Sequence, residues 1–261
     1  MCKILKISRG MIYYSYKEVS INSEYENKII EIFRDSRKNY GTRKIQKELL
    51  NKYDIKISRK YIGKCMNKYN LVSNYTKKLY KKQNNKCNED NIKNILNRDF
   101  NVDKIMTVMI SDLTYVNVKG VWCYVCLIID LFNREIVGHA VSKHKTVDIV
   151  LKAFSKIKYN LNSIQIFHTD RGLEFKNRSI DKILETFNIT RSLSNKGCPY
   201  DNAVAESTYK IFKTEFVKNR IFNSLKDLEI ELDSYIYWYN NKRIHGSINY
   251  LSPVKYKNMS L

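Results

Sequence analysis

Apolar residues return every three or four positions over 22–36 and 41–52, the spacing of helices that bury one face, and Ile45 and Leu49 stand one turn apart in Y-G-T-R-K-I-Q-K-E-L-L. After a short polar break, I-S-R-K-Y-I-G-K-C-M-N-K-Y at 57–69 predicts a third helix with Ser58 as its N-cap. Ile62, Cys65, Met66 and Tyr69 share one side of it, and Lys60, Lys64, Asn67 and Lys68 share the other. A helix pair whose second member is basic on its outer face is a candidate helix-turn-helix, with Arg59, Lys60, Lys64 and Lys68 as candidate DNA contacts. From Thr76 to Arg98 apolar anchors are few until Ile92, Ile95 and Leu96, which reads as a basic linker.

Beyond the linker the period changes. Three strand-like segments, 106–117, 121–130 and 134–141, follow one another through tight connections at Lys119-Gly120 and Asn133. A helix at 146–159, a strand at 164–169, a helix at about 178–187, a strand at 189–193, and helices at about 200–219 and 226–241 complete the pattern. Hairpins first and alternating elements afterwards predict an α/β unit: a mixed five-stranded sheet flanked by helices, preceded by a small all-α domain. The expected division is 1–75 helical, 76–103 linker and 104–261 core. In the stretch G-C-P-Y-D-N-A-V-A-E-S-T-Y-K-I-F-K at 197–213, helical spacing predicts Val204, Thr208, Ile211 and Phe212 as the packed face, with Glu206, Lys210 and Lys213 on an arc beside it.

Charge sharpens this picture. The formal net charge is +21, of which +14 falls within residues 1–100 and +7 within 101–261. A polyanionic partner is implied, and nucleic acid fits because phosphate neutralisation drives association through counterion release. The longest apolar run, V-W-C-Y-V-C-L-I-I at 121–129, is far short of the roughly 20 residues of a membrane helix. No basic start followed by an apolar signal segment opens the chain, so an unexported, cytoplasmic protein without membrane partners is expected. Cys123-Tyr-Val-Cys126 has the letters of a metal site, but on a strand positions three apart face opposite ways; reduced, packed cysteines are expected instead.

Three acids stand where carboxylates are costly or useful. Asp112 lies within the strand T-V-M-I-S-D-L-T-Y-V, Asp170 just past the strand I-Q-I-F-H-T, and Glu206 on the helix above. If they converge, mutual repulsion raises their pKa values, and a hard divalent cation relieves it. Two such ions can activate an attacking oxygen and stabilise a leaving one at phosphorus. Read singly, each acid also has a plain structural role: a strand-edge residue, a turn acid before Arg171-Gly172, and half of an i,i+4 pair with Lys210.

Fifty-seven residues separate Asp112 from Asp170, and 35 separate Asp170 from Glu206. This resembles the D,D-35-E pattern of the retroviral-integrase and transposase superfamily, with its RNase H-like core. The blocks S-D-L-T-Y-V, F-H-T-D-R-G-L-E-F, S-N-K-G-C-P-Y-D-N-A-V-A-E-S and Y-W-Y-N-N-K-R-I-H-G-S-I-N-Y-L-S-P-V are similar to those of the OrfB product of insertion sequence three (IS-three) family transposases, and the helix-turn-helix resembles the one preceding that family's core. The chain departs from the family in lacking a tryptophan just before the first aspartate, and in having Gly172-Leu173-Glu174-Phe175 where G-S-Q-Y is common.

The resemblance implies Asp112, Asp170 and Glu206 as a catalytic, metal-binding triad. It implies two Mg²⁺ ions, with Mn²⁺ as a possible substitute, and Lys213 near the terminal phosphates with Lys210 sharing that duty. Arg243, in the tail block with His245, is a candidate DNA contact or a lock for the last helix. The implied activity is DNA cleavage and strand transfer at insertion-sequence ends. The implied partners are transposon-end and target DNA, an upstream OrfA product fused or separate, and further copies of the chain on DNA, in the bacterial nucleoid. Two other readings stay open: a DNA-binding regulator with an inactive core, and a general RNase H-like nuclease or RNA-binding protein.

Overall fold

The computed structural model describes residues 2, 23–76, 94–96, 102–175, 177–195, 199–218 and 220–260. Most of the expected linker lies outside them. The first helical unit packs α1 (Ser23–Asp35), α2 (Thr42–Tyr53) and α3 (Arg59–Lys68) around Ile29, Ile32, Phe33, Ile45, Leu49, Ile62, Cys65 and Met66. Ser58 caps α3 by accepting from the Tyr61 amide at 3.2 Å, as its position predicts.

The second unit is a five-stranded sheet in the order β3-β2-β1-β4-β5. Its strands are β1 (Val108–Val118), β2 (Val121–Asp130), β3 (Ile136–Ser142), β4 (Ile166–Thr169) and β5 (Thr190–Leu193). The first three form an antiparallel meander, and β4 and β5 run parallel to β1. The β1–β2 turn uses two left-handed residues, Lys119 at φ 46° and Gly120 at φ 86°, a backbone that matches the twist of a two-residue hairpin. At Gly138 on β3 a Cβ would come within 2.5 Å of the Ala153 carbonyl, so glycine lets α4 (Val147–Ser155) lie close against the sheet.

Alternation along β1 sends its residues to two cores. Val108, Ile110, Val116 and Val118 face α6 (Ala203–Phe212) and α7 (Leu225–Asn241), whereas Met109 faces α4 and α5 (Arg178–Thr186). Cys123 belongs to the first core and Cys126 to the second, and both are free thiols. A last helix, α8 (Pro253–Ser260), follows the tail block. Among the described residues no helix is long and apolar enough to cross a membrane.

The helix that carries Glu206 differs from expectation in its end and in its packed face. The helix predicted to run to 219 is α-helical only to Phe212; Lys213–Val217 forms one wider π turn. Its buried face is Ala205, Thr208, Tyr209 and Phe212, with Val204 and Ile211 only partly covered. Tyr209 takes the sheet-facing place because its hydroxyl has partners there, a reason that hydrophobic spacing does not register.

The two units are joined through α7 and the π turn. Trp238 donates its indole N–H to the Asp35 carbonyl at 2.9 Å, Tyr40 accepts from the Ile244 amide at 2.9 Å, and Arg37 donates to Ser234. Beneath these contacts, Arg243 and Glu215, each 3% exposed, form a bidentate pair at 2.8–3.0 Å. Tyr75 and Tyr235 add phenol hydrogen bonds to the same carboxylate.

Candidate active site

The parallel pairing of β1 with β4 ends at Ser111 opposite Thr169, and the next residue on each strand is an aspartate. Asp112 and Asp170 therefore emerge side by side where β4 stops. Open sheets of this kind place their sites at the carboxyl ends of such strands. Glu206 comes from above, on the first turns of α6, and is half-buried.

What holds α6 over the aspartates is Tyr209, one turn after Glu206. Asp112 and Leu127 face each other across the β1–β2 ladder, and the Tyr209 hydroxyl sits between them. It donates to the Asp112 carbonyl and accepts from the Leu127 amide at 2.8 Å. The helix carrying Glu206 is thus fixed to the backbone of the strand carrying Asp112.

The electrostatics follow from this crowding. Burial pushes the Asp112 carboxyl up to about 8, with Asp170, Glu174 and Glu206 adding repulsion and the Leu113 amide opposing it. Asp170 is raised by burial and by Glu174, and is opposed by the Gly172 amide and the Lys145 ammonium. Glu174 is buried and paired with Lys145 at 3.1 Å. It folds beneath Gly172, where a Cβ would meet its Oε1 at 2.5 Å. Sequence reasoning noted the charge of Glu174 but not its burial, and no local pattern announced Lys145 or Tyr209. As the side chains stand, no three His, Cys, Asp or Glu among the described residues are gathered tightly enough to hold a metal ion. The two aspartates are brought together where the β1–β4 pairing ends, and Glu206 faces them from α6, adding to the repulsion on Asp112 after Asp170 and Glu174.

Comparison with known proteins gives this arrangement its setting. Residues 104–199 and 206–261 match models of the integrase core domain, and residues 21–78 match an HTH-like domain. The transposase for insertion sequence element IS904 of Lactococcus lactis subsp. lactis (strain IL1403) is 31% identical over 229 residues, covering 87% of this chain and 90% of its own. The chain belongs to the IS-three family of insertion-sequence transposases. Transposase InsF for insertion sequence IS3A of Escherichia coli (strain K12) is 25% identical over 276 residues, covering 100% of this chain and 94% of its own. A Shigella flexneri transposase for insertion sequence element IS1353 is 28% identical; it covers 97% of this chain, which in turn spans 50% of that longer protein. The HTLV-2 integrase catalytic core domain, solved in complex with magnesium, aligns with 57% of this chain and 95% of its own at a TM-score of 0.47 and 15% identity.

The remaining expected residues of the transposase are scattered around this centre. Lys213, half-buried, lies over the Tyr115 ring at 4.4 Å; burial lowers its pKa and Asp112 opposes that shift. Lys210 is exposed on α6. On α3, Arg59 and Lys60 are exposed, Lys64 is half-buried, and Lys68 pairs with Glu26 at 2.8 Å. Arg243, expected among the DNA contacts, is instead enclosed with Glu215, because the tail block folds inward against α7 and the π turn. His168 is buried with its Nδ1 2.8 Å from the Ser192 hydroxyl, and burial lowers its pKa to about 4, so it is a packed neutral ring.

Proposed function

We propose that Asp112, Asp170 and Glu206 are the catalytic carboxylates of this DNA transposase and that they hold two Mg²⁺ ions, with Mn²⁺ able to substitute. The observation that carries this is the pair of aspartates side by side where the parallel pairing of β1 and β4 ends, under a helix that Tyr209 ties to one of them. The donor set suits a hard cation, since it offers only carboxylate oxygens whose mutual repulsion a divalent charge relieves. Integrase cores generally use divalent metal ions. When bound, such ions supply Lewis acidity to both the attacking and the leaving oxygen of an in-line displacement at phosphorus.

The chain's own groups do the rest. Asp112 and Asp170 fix the oxygen ligands on the rigid sheet, and Glu206 approaches from the helix side. Tyr209 keeps strand and helix in register. Lys213 and Lys210 hold the backbone of the strand to be cut, and Lys145 neutralises Glu174 so that this fourth acid does not compete for substrate phosphates. Cleavage at the element end frees a 3′-hydroxyl, which then attacks a target phosphodiester; both are phosphoryl transfers with oxygen nucleophiles, so one site serves each in turn.

The exposed face of α3, through Arg59, Lys60, Lys64 and Lys68, contacts DNA flanking the cut. The partner reading extends to an OrfA-type module, fused or separate, and to further copies of the chain assembled on DNA. The doubled length of the Shigella flexneri relative supports the fused form. The test is cleavage and strand joining on element-end duplexes with Mg²⁺, Mn²⁺ or EDTA. Wild-type protein cuts only with metal, and Asp170→Asn binds the duplex unchanged but loses at least a thousandfold in rate. A wild-type chain that binds element ends without cutting them would instead establish a regulator.

A further inference from the structure

Beyond Asp112 the β1–β2 hairpin extends past β4. β4 covers β1 only as far as Ser111; farther on β1 pairs with β2, which β3 backs as far as Tyr124, and it meets Phe222 through a single bridge at Val118. On this extension the rings of Tyr115 and Trp122 stand 51% and 55% exposed. They meet edge to face, centroids 5.1 Å apart and planes at 90°. Lys213 reaches round from the π turn to place its ammonium 4.4 Å from the Tyr115 centroid. Tyr115 lies three residues past Asp112, about 10 Å along the strand and on the opposite face, and Trp122, opposite Asn117, shares the face of Tyr115. Lys213, which follows the helix packed on the Asp112 face and still reaches the Tyr115 ring, links the two faces round the edge of β1 that β4 leaves open.

Two large rings left in water, braced against each other and crowned by a cation, are a poor structural solution and a good receptor. The ligand must be flat and aromatic to stack on an indole face, and anionic to meet the ammonium; a nucleotide is both. Inside a duplex each base has its faces covered by neighbours, so the base that can reach an outside ring is an unpaired one. Strand ends beside a cleavage point supply such bases.

We propose that Trp122, braced by Tyr115, is a stacking site for an unpaired base a few nucleotides away from the scissile phosphodiester, on a strand that passes round the open edge of β1 with Lys213 engaging a phosphate on the way. This rests on the reading of Asp112, Asp170 and Glu206 as the cutting centre. The pair holds the displaced end away from the duplex and keeps it from re-pairing. It thereby sets how many nucleotides lie between the last paired base and the carboxylates.

Intrinsic fluorescence gives a direct test, because the chain has two tryptophans and the other, Trp238, is 4% exposed with its N–H held by the Asp35 carbonyl. The full chain is titrated in EDTA at fixed salt with a blunt duplex, and with the same duplex carrying a short unpaired 3′ thymidine overhang. The difference between the two cancels the general phosphate attraction of a basic protein. Overhang DNA should quench the exposed indole and bind at least tenfold more tightly than blunt DNA. Trp122→Ala should abolish that preference, Trp122→Phe should restore most of it, and Tyr115→Ala should weaken it, with blunt-duplex binding and thermal melting unchanged. Saturating overhang DNA that leaves the fluorescence untouched would overturn the inference, as would equal losses on both DNAs. Cleavage with Mg²⁺ is scored in parallel. Metal-dependent cutting without quenching removes the stacking site and spares the catalytic reading. Quenching by a wild-type protein that never cuts does the opposite.

Discussion

Two of the places where this molecule brings carboxylates out of water treat them in opposite ways. Glu215 is met on every side: Arg243 grips it with two nitrogens, Tyr75 and Tyr235 donate to it, and its pKa is lowered, burial being outweighed by Arg243 and then by the nearby Lys44. The pKa values of Asp112 and Asp170 are raised, by burial first and then by acids: Asp170, Glu174 and Glu206 around the one, Glu174 beside the other. A buried acid with its cation already supplied holds parts together. A buried acid among acids is a place prepared for a cation from outside. Burial alone separates nothing here; the sign of the neighbours does.

The comparison breaks hardest at Glu215. Replacing it by alanine strands the Arg243 guanidinium in the interior, where an uncompensated charge costs about 3–5 kcal/mol. Urea unfolding of Glu215→Ala should show that loss, together with loosening of the helical unit, since Tyr75 is released too. Second in size is Tyr209→Phe, which deprives the Asp112 carbonyl and the Leu127 amide of a shared partner. A loss of about 2–3 kcal/mol is expected, with cleavage slowed roughly ten- to a hundredfold because α6 is no longer fixed over β1. The mirror image of Glu215→Ala is Asp112→Asn. In EDTA it should raise stability, by about 1–2 kcal/mol, because one member of a repelling cluster is gone. A destabilised Asp112→Asn would show the cluster to be structural and erase the contrast.

The smallest effect is graded with pH. His245 lies enclosed among Arg243, Lys44 and Arg134 with its ring against Tyr239, and burial followed by those cations holds its pKa well below 6.5. The unfolded chain therefore takes up a proton as pH falls below 6.5 while the folded chain does not, and stability drops by up to about 1.4 kcal/mol per pH unit. Glu215, whose folded pKa is also lowered, adds a second loss as pH falls below its ordinary 4.5. Because Asp112, Asp170 and His168 also change charge between pH 8 and pH 4, the measurement is the difference between wild type and His245→Phe, which should be flat from pH 8 to about 6.5 and should then move in favour of the variant as pH falls to 4.

Much of this was legible in the residues. The first four strands follow from runs of Val, Ile, Tyr and Phe, and the alternation that separates Cys123 from Cys126 is the one that gives each helical layer its own core. The positions of Asp112 within a strand and Asp170 just past the end of another follow from the strand pattern itself. Tyr209, Glu174 and Glu215 were not legible in the same way. Each acts through a partner far along the chain: Asp112 and Leu127 for the first, Lys145 for the second, Arg243 for the third. A helical period of 3.6 has no means of showing the π turn, which is one residue wider than the rule. For Arg243 the residues left a DNA contact and a lock on the last helix both open, and the buried partner that favours the lock, Glu215, has no local signal.

That wider turn has a consequence of its own. Lys213 opens it and looks out toward Tyr115, while Glu215, two residues on, looks inward to Arg243. Deleting one residue between Phe212 and Lys218 would close the bulge into an ordinary coil and swing everything on one side by about 100°. Either the ammonium or the carboxylate would then point the wrong way, and no choice of side chain could recover both. A length of five residues in this stretch is therefore as strict a requirement as the identity of any acid in the pocket.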